Sequence, residues 1–500
     1  MQSGKEFSPD AEFSSKRLAL VLGSTWIGIL MASLDSSVMA TLSGPIASSF
    51  DSFQQLTWLT TSYMIATAAV QPLSGRMTNI FSRRSGLLFA NTVFFAGNLI
   101  CGLANTSEVM ILGRVVAGLG GGCLHSISTF LTSDLVPLRR RGLWQGLGNI
   151  ASGVGYGIGG YYGGVIDAAI GWRWAFLIQL PLTAVSGVLV ACTIRQPTAS
   201  STSEKQSNVS KLKRVDWLGA VTLTAFIVLL LTGLSSGGNI VPWNHALVYS
   251  TLSLSAISLG GFVYVEDRLA AEPILPVRLL LKRSIGTSCL TNFLSSMGYF
   301  CILFYGPLYF EVVNGLPASA AGLRLTLTAA GVLVSSIFVG WVIQATGTFS
   351  TSPANAPPFI MFYLAGAGYG SMLTVTLLAL TAAADQNQHA VITSTSYAFR
   401  STGSAIGVAI GRTVFQNLSR QGLVAAFRDR RDANELIARL AENIQAIKSL
   451  SEPLSHKALE AYTTAFKGVW GLTLGFSIAS AIVSFSICEH VLHSKLSRDR

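Results

Sequence analysis

Four of the ionisable side chains inside long apolar runs are candidates for chemistry. Asp35 sits in Ala32-Ser33-Leu34-Asp35-Ser36-Ser37. A carboxylate there can exchange a proton or hold a cationic substrate group; a structural pairing with Arg114 is the alternative. Arg114 stands in Gly113-Arg114-Val115-Val116-Ala117-Gly118. An arginine in an apolar helix costs roughly 2.5 kcal/mol or more, so it must face a polar cavity or a partner, unless it snorkels from a helix end. His125, one turn beyond Gly121, can take a proton near neutral pH, and plain hydrogen bonding is its blander role. Arg400, in Phe399-Arg400-Ser401-Thr402-Gly403, can balance a substrate or gating carboxylate, or serve a helix end. Together, Asp35, Arg114, His125 and Arg400 are the expected proton-coupling or substrate-cavity groups. Catalytic signatures are lacking: there is no HExxH, and no GxxxxGK[ST] that would make ATP the energy source. Six scattered cysteines with no CxxC argue against a metal site or a disulfide framework. No cofactor is expected.

The elements that carry these residues follow from composition. Of 500 residues, half are hydrophobic and 11% are charged, where a soluble domain carries about 25% charged residues. Mean hydropathy is +0.52. A soluble enzyme, a disordered chain and a disulfide scaffold are all excluded. Apolar runs fall at about 18–42, 57–75, 85–104, 109–135, 142–166, 173–194, 217–236, 245–265, 284–312, 321–346, 357–384, 390–416 and 464–489. These are the lengths that span a bilayer as helices. The expected fold class is an all-α polytopic membrane protein with about thirteen spans.

Net charge is +11, and its placement gives the orientation. With the N-terminus in the cytosol, the second, fourth, sixth and eighth loops hold fifteen Lys and Arg, among them Arg76, Arg83, Arg84 and Arg139–Arg141. The odd-numbered loops up to the ninth hold none. This is the positive-inside pattern, and it accounts for the basic excess without nucleic acid as a partner. Residues 195–216 are Ser/Thr/Lys-rich and read as a cytosolic linker. Within 420–460, Ala426, Leu436, Ile437, Leu440, Ile444 and Ile447 recur at near-helical spacing, which predicts an amphipathic helix lying on the membrane surface. The expected plan is a cytosolic tail (1–16), a six-helix bundle (17–194), the linker, two extra helices (217–265), a C-terminal bundle (266–492) and a short tail (493–500). Asn105 of Asn105-Thr106-Ser107 falls in an external loop and is a glycosylation candidate.

Several strings resemble one family. The second loop reads Gly75-Arg76-Met77-Thr78-Asn79-Ile80-Phe81-Ser82-Arg83-Arg84. It resembles the signature loop of the major facilitator superfamily, with Asn79 where that family usually has Asp and Ser82 where it usually has Gly. The resemblance makes Gly75, Asn79, Arg83 and Arg84 a cytosolic gating loop whose basic residues pair with carboxylates or helix C-termini of the neighbouring bundle. Span five holds Gly155-Tyr156-Gly157-Ile158-Gly159-Gly160-Tyr161-Tyr162-Gly163-Gly164, which looks like the antiporter motif of export-type members, with Gly160 in place of a proline. Gly155, Gly159 and Gly163, with Gly160 and Gly164, would form a smooth stripe for tight contact between the two helical halves. Gly171-Trp172-Arg173-Trp174, Asp216-Trp217-Leu218-Gly219, Pro273-Ile274-Leu275-Pro276 and Pro307-Leu308-Tyr309-Phe310-Glu311 are similar to the fourteen-helix drug:proton antiporters. Asp134 and the Arg400 string most resemble the fungal vacuolar basic amino acid transporters and related multidrug exporters.

That resemblance implies the major facilitator fold: two six-helix bundles plus two extra helices around a central cavity. It implies a proton-coupled antiporter moving drugs, secondary metabolites or basic amino acids out of the cytosol. Its partners would be a small-molecule substrate, protons and membrane lipids; the protein would be a monomer in the cell or vacuolar membrane. One C-terminal-half helix is missing, because residues 347–356, Gly347-Thr348-Phe349-Ser350-Thr351-Ser352-Pro353-Ala354-Asn355-Ala356, have almost no apolar content. Asn79 and this gap leave a non-transporting receptor or nutrient sensor as the alternative. They also leave two topologies for the C-terminal spans: the family pattern puts the tail in the cytosol, simple alternation puts it outside.

Overall fold

The computed structural model describes residues 15–50, 56–194, 216–237, 241–270, 273–274, 277–316, 330–332, 334, 358–383, 389–428, 436–437, 440, 447 and 450–487. These residues are helical almost throughout, and an isolated bridge between Gly237 and Val241 is the nearest thing to a strand among them. The helices are α1 (Ser15–Ser49), α2 (Leu56–Ile80), α3 (Arg83–Leu103), α4 (Ser107–Leu135), α5 (Leu138–Ile170), α6 (Trp172–Leu177) and α7 (Gln179–Thr193). There follow α8 (Trp217–Ser236), α9 (Ala246–Tyr264), α10 (Val277–Leu280), α11 (Arg283–Val312), α12 (Pro358–Ala382), α13 (His389–Phe427) and α14 (Glu452–Ser484).

Nine of the described helices or helix pairs are long and apolar enough to cross a membrane. The three long ones left out are α2, α5 and α13, at 25, 33 and 39 residues. They are rich in small and polar side chains because they face protein rather than lipid. α2 packs along α13, and α5 meets α12. A core cluster joins Met64, Ile65 and Ala69 of α2 to Tyr299 and Phe300 of α11, to Tyr369 of α12, and to Leu223, Ile227 and Leu231 of α8.

Side-chain contacts fix the direction of each C-terminal helix. Asn292, Ser296 and Tyr299 along α11 meet Thr376 and Tyr369 of α12 in reverse order, so these two run antiparallel. Gly403, Gly407 and Gly411 of α13 follow Phe293, Met297 and Tyr305 of α11 in the same order, so these two run parallel. α14 is antiparallel again: Ser480 bonds Ser295 and the Thr291 carbonyl, while Phe466 and Trp470 pack on Tyr309. Arg283 Nε donates to the Ser486 carbonyl at 3.1 Å, which puts the end of α14 beside the basic eighth loop. The family pattern of the two expected topologies is therefore the one the helices follow. α12 consequently starts at the end of the molecule where α11 finishes, and only one apolar run, 321–346, lies between them. Of that run the described residues are helical, with Gly331 against the Tyr363 and Ala367 backbone. The gap at 347–356 lies outside the described residues.

The expectation for 420–460 needs correction. α13 continues to Phe427 and α14 begins at Glu452. Leu423, Phe427, Leu440 and Ile447 are buried against Ala458, Tyr462 and Phe466, and the Tyr462 hydroxyl donates to the Leu440 carbonyl at 3.0 Å. Of the residues in that pattern, Ala426, Leu436, Ile437, Leu440 and Ile447 pack on protein rather than on a lipid surface, and Ile444 lies outside the described residues.

Candidate functional site

α4 packs closely against α2 and α3 because it carries glycines where they approach, and this seats α4 beside α1. A Cβ at Gly118 or Gly121 would strike the Tyr63 backbone or hydroxyl, and one at Gly120 would strike the Phe94 backbone. This closeness brings Arg114 to Asp35, with Nη1 to Oδ2 at 2.7 Å and side-chain exposures of 1% and 0%. Arg114 Nε also donates to the Leu59 carbonyl at 3.3 Å, and its guanidinium lies 4.4 Å from the centroid of the Tyr63 ring. The Tyr63 hydroxyl donates in turn to the Ala32 carbonyl, at 3.1 Å. Gln179 of α7 lies close to the carboxylate, but its Nε2 donates to the Ala175 carbonyl at 2.9 Å. Asp35 Oδ1 is buried without a hydrogen-bond partner. The pair is thus enclosed on three helices, α1, α2 and α4, with one acceptor unused.

His125 shares a 3.3 Å hydrogen bond between Nε2 and Ser33 Oγ, two residues from Asp35 on α1. Arg400 is not part of this group. It lies on α13, its guanidinium 3.9 Å from the Tyr397 ring centroid, and no described carboxylate forms an ion pair with it. The structure therefore pairs Asp35 with Arg114, sets His125 apart from the pair and within electrostatic reach of Arg400, and leaves Arg400 in a second place.

That second place is a narrow cleft between the two sets of helices, with a volume of about 10 Å³, room for a single water. Gln145 and Asn149 of α5 form one wall; Asn292 of α11, Leu373, Thr376 and Leu377 of α12, and Ser396, Tyr397 and Arg400 of α13 form the other. Beside it, the Thr129 and Tyr397 hydroxyls share a 2.6 Å hydrogen bond from α4 to α13. Thr129 is one turn from Ser133, whose carbonyl accepts from Arg141, so this bond lies toward the basic end. Sequence reasoning missed Gln145, Asn149, Asn292, Thr129 and Tyr397. The available signal was an amide pair four residues apart on one helix face.

The loop residues sit differently from expectation. Arg83 Nε pairs with Asp134 Oδ2 at 2.9 Å and its Nη1 donates to Thr78 Oγ1 at 2.6 Å. Arg84 Nη2 donates to the Ala191 carbonyl at the end of α7, at 2.8 Å. Both arginines thus bind α4 and α7 within the N-terminal set, not the neighbouring bundle. Gly75 accepts from Thr78 Oγ1 at 3.2 Å, and Asn79 is exposed. Ser82, at the family's glycine position, has φ 153° and ψ 160°, a region otherwise almost confined to glycine.

The glycine stripe also needs correction. A Cβ at Gly155 would meet the Leu30 carbonyl and Ser33, at Gly159 the Leu34 carbonyl and Ser37, and at Gly163 Thr41 and Leu42. All belong to α1, so the stripe is a seam within the N-terminal set rather than a face between halves. Gly160 is buried and Gly164 half-buried on the same helix. Asn105 is exposed in the link between α3 and α4, while Ser107 of its sequon is buried in the first turn of α4.

Comparison with known proteins gives the family. The Major Facilitator Superfamily model matches residues 25–409. The chain belongs to the Major Facilitator Superfamily. Among the superfamily's members it is 33% identical to multidrug resistance protein fnx1 of Schizosaccharomyces pombe, over 96% of this chain and 94% of that one. It is 31% identical to the vacuolar membrane amino acid uptake transporter fnx2 of the same yeast, over 90% and 80% of the two chains. It is 30% identical to vacuolar basic amino acid transporter 2 of Saccharomyces cerevisiae, over 82% and 93%. In fold it is similar to a bacterial homologue of the human lysosomal transporter Spinster, with TM-score 0.58 at 14% identity over 97% and 99% of the two chains. The protein is a multi-pass membrane transporter of this superfamily.

Proposed function

We propose that the protein is a proton-coupled antiporter that moves small organic molecules out of the cytosol. The observation that carries this reading is the enclosed Asp35–Arg114 pair with its unused carboxylate oxygen. A buried ion pair is weak evidence for stability, since desolvation consumes most of its attraction. It makes better sense as a switch: a proton on Asp35 removes the charge that holds Arg114, and α1, α2 and α4 must then repack.

The two sets of helices rock about the cleft to give alternating access, with Arg400 facing substrate and the Arg83, Arg84 loop anchoring the cytosolic ends of α3, α4 and α7. The names of the similar yeast proteins support drugs or amino acids as substrates and the vacuolar membrane as one place of action. The protein works as a monomer surrounded by lipid. Reconstituted into vesicles with an imposed pH gradient, it takes up substrate against the proton flow. Asp35→Asn removes the pH dependence and leaves exchange at equal pH intact. Uptake that stays gradient-driven in this variant discards Asp35 as the coupling group.

A further inference from the structure

The segment that joins α9 to α11 is held in place rather than slack. The Ile274 N–H donates to Glu266 Oε1 at 3.0 Å, and Ile274 is buried in the cluster that holds Leu223 and Ile227 of α8. Arg278 Nε of α10 donates to Asp267 Oδ1 at 2.8 Å, which ties α10 back to the end of α9. Arg268 Nε lies 3.3 Å from the other oxygen of the same carboxylate. Two guanidiniums thus share one anion, and their side chains stay 73% and 79% exposed. Lys282 and Arg283 follow, also exposed. Among the described residues of this segment the carboxylates are Asp267 and the buried Glu266, so the charge it presents outward is strongly positive. Apolar surface reaches the same place from two sides. Leu254, Ile257 and Tyr264 are exposed along α9, and Ile478, Ile482 and Phe485 are exposed along the end of α14. Arg283 Nε donates to the Ser486 carbonyl, so both apolar stripes finish at the same cations. Leu281, between Arg278 and Lys282, is 81% exposed.

We propose that the junction of α9, α10 and α11 binds the headgroup of an anionic phospholipid from the leaflet on the basic side, the cytosolic one by charge placement. The planar forks of Arg268 and Arg278 take phosphate oxygens. Lys282 and Arg283 add attraction to the negative leaflet surface. The acyl chains lie along the apolar stripes, and Leu281 enters the acyl boundary. A soluble anion has no use for the stripes, and a neutral lipid has none for the arginines. A lipid held here bridges the extra pair of helices to the C-terminal set.

The test uses the purified full-length chain in detergent, with a fluorescent phosphatidylserine as the probe. Unlabelled phosphatidylserine and phosphatidylglycerol should displace the probe and raise the melting temperature. Phosphatidylcholine at the same concentration should do neither, and added salt should weaken the binding. Arg268→Gln with Arg278→Gln should bind the probe roughly 25-fold more weakly, about fivefold for each charge lost. Leu281→Ser keeps every charge and should weaken binding about tenfold through the lost apolar contact. Arg140→Gln removes an exposed cation from another basic loop and should leave the affinity unchanged. The Leu281 and Arg140 variants keep the test decisive if the double variant fails to fold. Phosphatidylcholine that competes as well as phosphatidylserine overturns the proposal. A loss in Arg140→Gln equal to that in the double variant or in Leu281→Ser also overturns it, because diffuse charge then does the binding. Displacement by glycerophosphoserine, which has the headgroup and no chains, at the concentration that suffices for the lipid sinks it in favour of a soluble phosphate ligand.

Discussion

Asp35 and Arg114 can be removed singly or together, and the costs differ. Asp35→Asn leaves a buried guanidinium without its counter-charge, which costs about 3–5 kcal/mol. The double variant Asp35→Asn with Arg114→Gln removes both charges and should recover most of that loss. Coupling to the pH gradient should stay lost in both. Thermal unfolding and vesicle uptake, measured side by side, check this, and a double variant no more stable than the single one refutes it. Ser82 offers the opposite case. Its backbone angles cost of order 1–3 kcal/mol in a non-glycine residue, and its role as cap of α3, through a 3.2 Å bond from the Ser85 N–H, is worth only a few tenths over glycine. Strain is the larger effect, so Ser82→Gly should raise the melting temperature in detergent. An unchanged or lower value shows the loop bears no strain.

At the scale of helices, the α1–α5 seam depends on having no side chain at three positions on α5. Gly159→Leu must displace the Leu34 carbonyl and Ser37, and overpacking of this kind costs about 1–3 kcal/mol or more. Gly471 on α14 has nothing within 4 Å of its Cβ position, so Gly471→Leu should be tolerated. Yield of monodisperse protein for the two variants separates them; equal yields refute the seam. The helices themselves were legible in the sequence because lipid demands long apolar runs and basic loops on one side. The partner of the glycine stripe was not. Small residues at i, i+4 and i+8 announce a close neighbour without naming it, and α1 fits as well as any helix of the other half. Leu440 and Ile447 teach the same lesson, since an apolar face reads alike whether lipid or Tyr462 covers it.

At the scale of the whole molecule, the 2.6 Å bond between Thr129 and Tyr397 joins residues 268 apart in sequence, and no spacing pattern could reveal it. Asp35 and Arg114 were legible because charge is conspicuous in an apolar run. Gln145 and Asn149 were not, being neutral amides near a helix start. The Thr129–Tyr397 bond ties the two sets of helices near their basic end. One hydrogen bond is worth about 1 kcal/mol, so Tyr397→Phe should raise the population open at that end about fivefold. Alkylation of a cysteine placed at Ser396 reads this; equal labelling rates with and without Tyr397→Phe refute it.

The polar character of α2, α5 and α13 reaches back to how the protein is made. Emerging singly from the ribosome, such segments partition poorly into a bilayer, and they must wait for later companions before lipid will hold them. Truncated chains ending before α13 should therefore be extracted and degraded, whereas those that include it persist, so quality control acts on this transporter chiefly until its last polar helix has joined α2.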